Sequence, residues 1–476
     1  MNGVGAVAGA PRVLIASNRL PVTAEQRAGG VRYRRSDGGV ASGLRHVARN
    51  WPVRWYGWNG IASTRPESAP LEVPEDPSLV AVALSASDVT GFYRDYCNGL
   101  LWPVLHGLTD DLPAGSPAWQ SYVDVNERFA NVIAGEAAAG DRIWIHDYHL
   151  FLLPNLLRGR TSSRGIPIAF FLHTPFPDPE AFAKVPQWRT LMTGVLGADL
   201  IGFHTAEYVE NFLAAARELG HAVGDSAIMV GDRRLELVVR PMGIDADAFA
   251  HLGNDPNILA EVSRLRACHR KILLGVDRLD YTKGIHQRLL AFELLLQTHP
   301  QLHGEITLLQ IAVPTRSDVA AYQDLKDVVE NTVGRINNKF GTSGWTPVEY
   351  LYDTVDLNTL ASLYRAADVM LVTPSRDGLN LVAKEFVATR VDGDGVLILS
   401  KYAGAAAELA SALLVDPTRI KELAEAYYRA VTMSLKERRG RMGELLRVIR
   451  ANCVTEWITQ FVGDPPAEAV VVPRTT

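Results

Sequence analysis

Short apolar, β-branched runs alternate with helical periods along this chain, and they do so in two blocks. That alternation constrains the fold most, because strand–helix–strand repetition packs as a parallel sheet with helices on both faces. The first block carries runs at Val13–Ser17, Arg142–Asp147, Pro167–His173 and Leu200–His204. The second carries Lys271–Asp277, Ile306–Val313, Val369–Pro374 and Val396–Ser400. Such runs read as strands buried on both faces. Between them, Val209, Phe212, Ala216 and Leu219 recur at helical spacing. So do Ile285, Leu289, Phe292 and Leu296, and later Val329, Val333, Ile336 and Phe340. At 476 residues the chain exceeds one ordinary core. The reading is α/β: two Rossmann-like, doubly wound domains, residues 1–240 and 241–450, facing a central cleft. The boundary falls at Arg240–Asp245. Residues 451–476 read as a helix that packs back on the first domain, followed by a tail.

Several function classes drop out. A net charge of -5 argues against general nucleic-acid binding, which favours a basic face. The three cysteines, Cys97, Cys268 and Cys453, are too sparse for a disulfide framework and lack metal-ligand spacing. They fit a reducing compartment, so a cytoplasmic location is expected. Met1–Ala10 is small and apolar without a basic segment, which reads as a tail rather than a signal peptide. No apolar run is long enough for a membrane span. A homo-oligomer is compatible with the sequence but not dictated by it.

Ligands of open α/β sheets bind beyond the carboxyl ends of the strands, so polar residues there are the candidates. Arg278-Leu-Asp-Tyr-Thr-Lys283-Gly284 follows the strand Lys271–Asp277. Two cations at the start of a helix make a diphosphate site, or else a solvated loop with incidental charge. Thr373-Pro-Ser-Arg376-Asp377-Gly378-Leu379-Asn380-Leu381-Val382-Ala-Lys384-Glu385 ends another strand. There Asp377-Gly378 reads as a turn, Asp377 as a helix cap, and Leu379 and Asn380 as amides offered to the cleft. Glu385, placed two turns into the helix, could accept from two ribose hydroxyls. In the first block, Asp147 and His173 each end an apolar strand. Arg19, Tyr93, Trp102 and Arg316 are scattered, yet two arginines, a phenol and an indole N–H suit a phosphate monoester. Two decoys are set aside. Asp392-Gly-Asp394-Gly395 resembles a phosphatase aspartate motif but precedes its strand, so it reads as a loop. Asp37-Gly38-Gly39 with Gly43 is a partial dinucleotide fingerprint with no strand running directly into it.

Together the strings SNRLPV, WYGWNG, NGLLWP, WIHDYHL, FFLHTPFP, DLIGFH, GVDRLDYTKG, GWTPVEYLY and TPSRDGLNLVAKEFV closely resemble the trehalose-6-phosphate synthase family of retaining glycosyltransferases with the GT-B fold. The resemblance runs from about Val13 to Phe461. It implies transfer of glucose from a nucleotide-glucose to glucose 6-phosphate, with no metal or other cofactor. It also implies a division of labour, with the first domain binding the acceptor and the second the nucleotide sugar. Arg278 and Lys283 would hold the donor diphosphate. The segment Gly378, Leu379, Asn380, Leu381 and Val382 would hold phosphate and glucose, with Asp377 on a glucose hydroxyl and Glu385 on the ribose. Gly38 and Gly39 match a loop near the donor. His173 and Asp147 would contact the sugars at the reaction centre, and Arg19, Trp58, Tyr93, Trp102 and Arg316 would bind the acceptor.

Val313 and Val355 depart from some relatives near the base pocket, so UDP-, GDP- and ADP-glucose all stay open as donors. The chain ends at Thr476, so the resemblance implies no fused phosphatase. Rival readings keep a different phosphorylated acceptor, as in a glucosylglycerol-phosphate synthase or a cyclitol-phosphate transferase. A nucleotide-sugar epimerase shares the architecture but needs no acceptor-phosphate site. A non-catalytic sugar-phosphate sensor is disfavoured by the joint presence of Arg278, Lys283 and Glu385.

Overall fold

A computed structural model of the chain describes residues 11–27, 30–35, 39–64, 71–73, 76–110, 112, 115, 118–316 and 319–464. The chain divides into two compact units, Met1–Arg240 with Thr455–Thr476, and Pro241–Val454.

The first unit is built on a ten-stranded sheet. Its parallel body runs in the order Arg233–Val239, Leu200–Phe203, Ile168–Phe171, Arg142–His146, Val13–Arg19, Val53–Trp58, Asp76–Ala81. Antiparallel strands finish both edges: Ala222–Val223 and Ala227–Val230 on one side, Leu71–Val73 on the other. The chain starts mid-sheet, builds outward past Val53–Trp58, then returns to build the other half. Strand order therefore reverses between Val13–Arg19 and Arg142–His146, the place where open α/β sheets bind ligands. Leu14, Ile15 and Ala16 are fully buried, as a strand covered on both faces requires.

The second unit repeats the plan with six parallel strands: Val348–Leu351, Ile306–Val313, Lys271–Arg278, Val369–Val372, Val396–Ser400, Leu413–Val415. Its order reverses between Lys271–Arg278 and Val369–Val372. The predicted helical stripes form the helices Ala206–Glu218, Ile285–Thr298 and Ala320–Phe340. Leu289, Phe292 and Leu296 lie in one core with Val329 and Ile336.

Three elements differ from expectation. Arg233–Val239 alternates exposed and buried residues, so it carries no continuous apolar run to read. A π-helix, Val89–Leu101, runs straight into the short helix Trp102–Leu105. The hairpin Val22–Arg27 with Gly30–Arg35 was not read from the sequence. That hairpin lies outside the parallel sheet, so it is no dinucleotide fold. Asp37 and Gly38 fall outside the described residues, and Gly39 opens the helix Gly39–Asn50.

The helix Val454–Val462 lays Trp457 and Phe461 on Trp144, with ring centroids 4.8 and 5.2 Å apart. Phe461 sits so close to the strand Leu200–Phe203 that a Cβ on Gly202 would lie 2.4 Å from its ring. Among the described residues, no helix is long and apolar enough to cross a membrane.

Candidate active site

In the second unit, the end of Lys271–Arg278 and the loop after Val369–Val372 are locked together by backbone. Gly284 sits at φ 66°, and a Cβ there would lie 2.3 Å from the Thr373 carbonyl oxygen. The Ser375 amide donates to the Thr282 carbonyl at 2.7 Å. This approach carries Lys283 to Asp377, with Nζ and Oδ2 2.6 Å apart. The Asn380 side-chain amide donates to the same Oδ2 at 3.0 Å. Asp377 is therefore not the helix cap expected from the sequence. Asn380, at φ 77°, holds the cap position of Leu381–Thr389 and makes no side-chain cap bond; its Nδ2 donates to Asp377 instead. Gly378 is clamped from behind, since a Cβ on Gly404 would lie 1.9 Å from its carbonyl oxygen.

Glu385 lies one turn into that helix, not two. It accepts from the Tyr364 hydroxyl at 3.0 Å. Burial pushes its carboxyl up to about 7, with the Tyr364 bond opposing. Lys384 does not pair with it. Lys384 bonds Glu408 at 2.5 Å and the Met242 carbonyl at 2.8 Å.

Arg278 is exposed at its strand end. Two residues on, buried Asp280 accepts from the Thr282 amide and hydroxyl at 3.0 and 2.9 Å. It also receives Arg316 at 3.2 Å and the Tyr322 hydroxyl at 3.1 Å. Burial works to raise this carboxyl, but Arg278, Arg316, the Thr282 amide and Lys283 hold it below the usual range. Arg316, at φ 47°, thus stands in the second unit. Arg19, Tyr93 and Trp102, expected with it around one phosphate, belong to the first. Beneath this site, fully buried Arg288 pairs with Asp277 at 2.8 Å and bonds Gln310 and Thr373 at 2.8 and 3.2 Å. Asp280, Arg288, Tyr322 and Tyr364 were not read from the sequence. Only Asp280 carried a signal, its place between two cations in DRLDYTKG.

In the first unit, Arg19 ends its strand with its guanidinium 4.6 Å from the Trp58 ring centre. Burial lowers its pKa, with Tyr93 opposing. Trp58 lies 5.9 Å from Tyr93, and Tyr93 stacks on His149 at 6.1 Å. His149 meets Tyr148 at 4.0 Å, and Tyr148 meets buried Trp102 at 5.9 Å. One aromatic ladder therefore joins Arg19, Trp58, Tyr93 and Trp102.

Asp147 sits at φ 76°, a conformation that non-glycine residues adopt rarely and mostly at functional positions. Its Oδ1 accepts the His173 amide at 3.3 Å. The His173 ring meets His146, Nε2 to Nδ1, at 3.1 Å. Burial lowers His173 to about 3 and depresses His146 strongly as well, so both rings are neutral at pH 7. The Asp392–Asp394 stretch is the loop expected: its carboxylates pair with Arg365, Arg390 and Arg438. Among the described residues, no group of three His, Cys, Asp or Glu side chains could hold a metal ion.

The sequence model of glycosyltransferase family 20 matches residues 11–465. The chain belongs to this family. It is 39% identical, over 95% of its length and 96% of the relative's, to an alpha,alpha-trehalose-phosphate synthase [UDP-forming] of Aspergillus niger. It is 40% identical over 95% of its length to a bifunctional trehalose-6-phosphate synthase/phosphatase of Thermoproteus tenax, but spans only 63% of that protein. The solved alpha,alpha-trehalose-phosphate synthase (UDP-forming) from Burkholderia xenovorans, in complex with glucose-6-phosphate, is 34% identical. It superposes with a TM-score of 0.86 over 95% of this chain and 98% of that one. The resemblance read from the motifs thus holds, and the two doubly wound units of this family-20 glycosyltransferase are those of the GT-B class.

Proposed function

We propose that this chain is an α,α-trehalose-6-phosphate synthase. It transfers glucose from UDP-glucose to glucose 6-phosphate with retention, releasing UDP. The observation that carries the reading is Lys283: nearly buried, held at 2.6 Å by Asp377, and set beside Arg278 at the point where the strand order of the second sheet reverses. Breaking the glucosyl–phosphate bond leaves charge on the diphosphate. Lys283, Arg278 and the amides of Gly378, Leu379, Asn380, Leu381 and Val382 would receive it. No divalent metal is then needed for that charge, and turnover is expected without one. Asp377 accepts a hydroxyl of the transferred glucose, and Glu385 accepts the ribose hydroxyls.

The reaction needs no covalent intermediate. The C1–phosphate oxygen bond breaks, and the acceptor hydroxyl bonds C1 on the same face. Its proton passes to an oxygen of the leaving phosphate. His173 and Asp147 hold the sugars, while Arg19, Trp58, Tyr93, Trp102 and Arg316 hold the acceptor. Holding two anionic substrates in register can be worth about 7–11 kcal/mol. UDP is preferred as the nucleotide because the A. niger and B. xenovorans relatives are both UDP-forming. Since the chain spans 63% of its bifunctional relative, the proposal covers the synthase reaction alone. Three free cysteines favour a cytoplasmic setting.

The test is release of nucleoside diphosphate in EDTA, with UDP-, GDP- and ADP-glucose run in parallel, each with and without glucose 6-phosphate. UDP release that depends on glucose 6-phosphate is expected. Release that ignores the acceptor, or that glucose supports equally, would refute the phosphate-acceptor reading.

A further inference from the structure

The two histidines at the carboxyl edge of the first sheet form a coupled pair, His146 buried and His173 half-buried. His146 is 1% exposed, and its Nδ1 lies 3.1 Å from His173 Nε2. The pair is roofed by rings: Trp144 lies 4.5 Å from the His146 ring, and Phe171 lies 4.8 Å from His173. Trp457, brought in by the helix Val454–Val462, lies 6.3 and 6.1 Å from the two rings. In so dry a pocket neither ring carries a second proton, so one neutral nitrogen must donate across the 3.1 Å contact and the other accept.

Which donates is decided by the far side of His146. Its Nε2 is buried and makes no hydrogen bond among the described residues. The indole N–H groups of Trp144 and Trp457, in the same ring pack, make none either. If His146 accepted at Nδ1, its own proton would sit on Nε2 as a third buried donor without an acceptor. If it donates from Nδ1, Nε2 is a bare lone pair. Orphaned buried N–H groups are rarer in folded proteins than unsatisfied acceptors, so the second arrangement is favoured. His173 Nε2 is then the acceptor, and its proton is forced onto Nδ1.

We infer that His146 is a positioning residue that fixes the tautomer of His173, so that His173 offers Nδ1–H as a donor to a sugar oxygen. A donor tautomer suits a ring that must grip a hydroxyl oxygen without taking its proton. The inference rests on the reading of His173 as a sugar contact, but the tautomer itself can be measured without any substrate.

The experiment uses the full chain labelled with 15N in histidine. Long-range proton–nitrogen spectra are recorded from pH 6 to 8, with His173→Asn and His146→Asn assigning the signals. His173 is expected as a single neutral tautomer protonated at Nδ1, with His146 also protonated at Nδ1. In His146→Phe the His173 tautomer should become mixed. In the same variant kcat should fall about 10–100-fold, by analogy with the loss when the partner that orients a metal-ligating histidine is removed. The donor KM should stay near wild type. His146→Asn, whose amide can donate from the same place, should restore both the tautomer and most of the turnover. A wild-type His173 protonated at Nε2, or a mixture of tautomers, would overturn the inference whatever the turnover of the variants. So would a His146→Phe protein with full turnover. Full turnover in His173→Ala would instead overturn the sugar-contact reading and leave the tautomer result standing.

Discussion

The two sheets share one strand plan, yet the sites at their reversal points are built from opposite materials. The second unit collects charge and pairs it in advance: Lys283 on Asp377, Arg316 on Asp280, Arg288 on Asp277. The first unit gathers rings, and it holds His146 and His173 neutral by burial. On the proposed function, the contrast follows from what each end grips. A diphosphate needs cations that are already oriented, and a buried cation stays ionised only with a carboxylate beside it. Sugar hydroxyls need donors and acceptors of fixed direction, and the rings that hold Arg19 and the neutral His146–His173 pair in place supply them. A shared topology therefore places a site without choosing its chemistry.

The comparison breaks most easily at Lys283. In Lys283→Met, kcat should fall about 10²–10³-fold, the loss typical of removing one stabiliser of a developing anion. Glucose 6-phosphate binding should barely change. Steady-state kinetics with both substrates varied would decide it, and an equal loss in both constants would contradict the division between the units. A smaller effect is expected at Arg316, which pairs with Asp280 and is proposed to hold the acceptor phosphate. In Arg316→Ala the apparent acceptor constant should rise about 10–100-fold, one charged hydrogen bond's worth. Donor affinity should hold, and calorimetric titration of each substrate would show this.

The mildest effect is one of pH. Burial pushes the Glu385 carboxyl up to about 7. Ribose hydroxyls donating to it favour the carboxylate, so donor binding releases a proton. Donor affinity should therefore be full above about pH 7 and weaken as pH falls through it. Glu385→Gln should flatten that dependence while weakening binding overall. A donor affinity independent of pH between 6 and 8 would remove Glu385 from the ribose.

The sequence made the sheets legible because their strands are buried on both faces and so appear as unbroken apolar runs. Arg233–Val239 and Val348–Leu351 escaped because exposed residues interrupt them. Arg278, Lys283 and Asp377 stood out because charge directly after such a run has few structural reasons to be there. Their supports did not stand out. Tyr322 and Tyr364 come from distant helices, and nothing in their local spacing points at Asp280 or Glu385. Asp377 shows the limit in one residue. An aspartate before a glycine reads locally as a turn and cap, yet a lysine 94 positions away takes its carboxylate. His146 was passed over for a similar reason, since within IWIHDYH it looks like one more buried strand residue.

The central claim is the transfer itself, and the product's linkage tests it most directly. UDP-glucose and glucose 6-phosphate labelled with 13C at C1 would be incubated with the protein in EDTA, and the product read by NMR. The account predicts one disaccharide phosphate whose two anomeric carbons are joined, both in the α configuration. A β linkage, a bond to any other acceptor carbon, or free glucose released by a folded protein would contradict it.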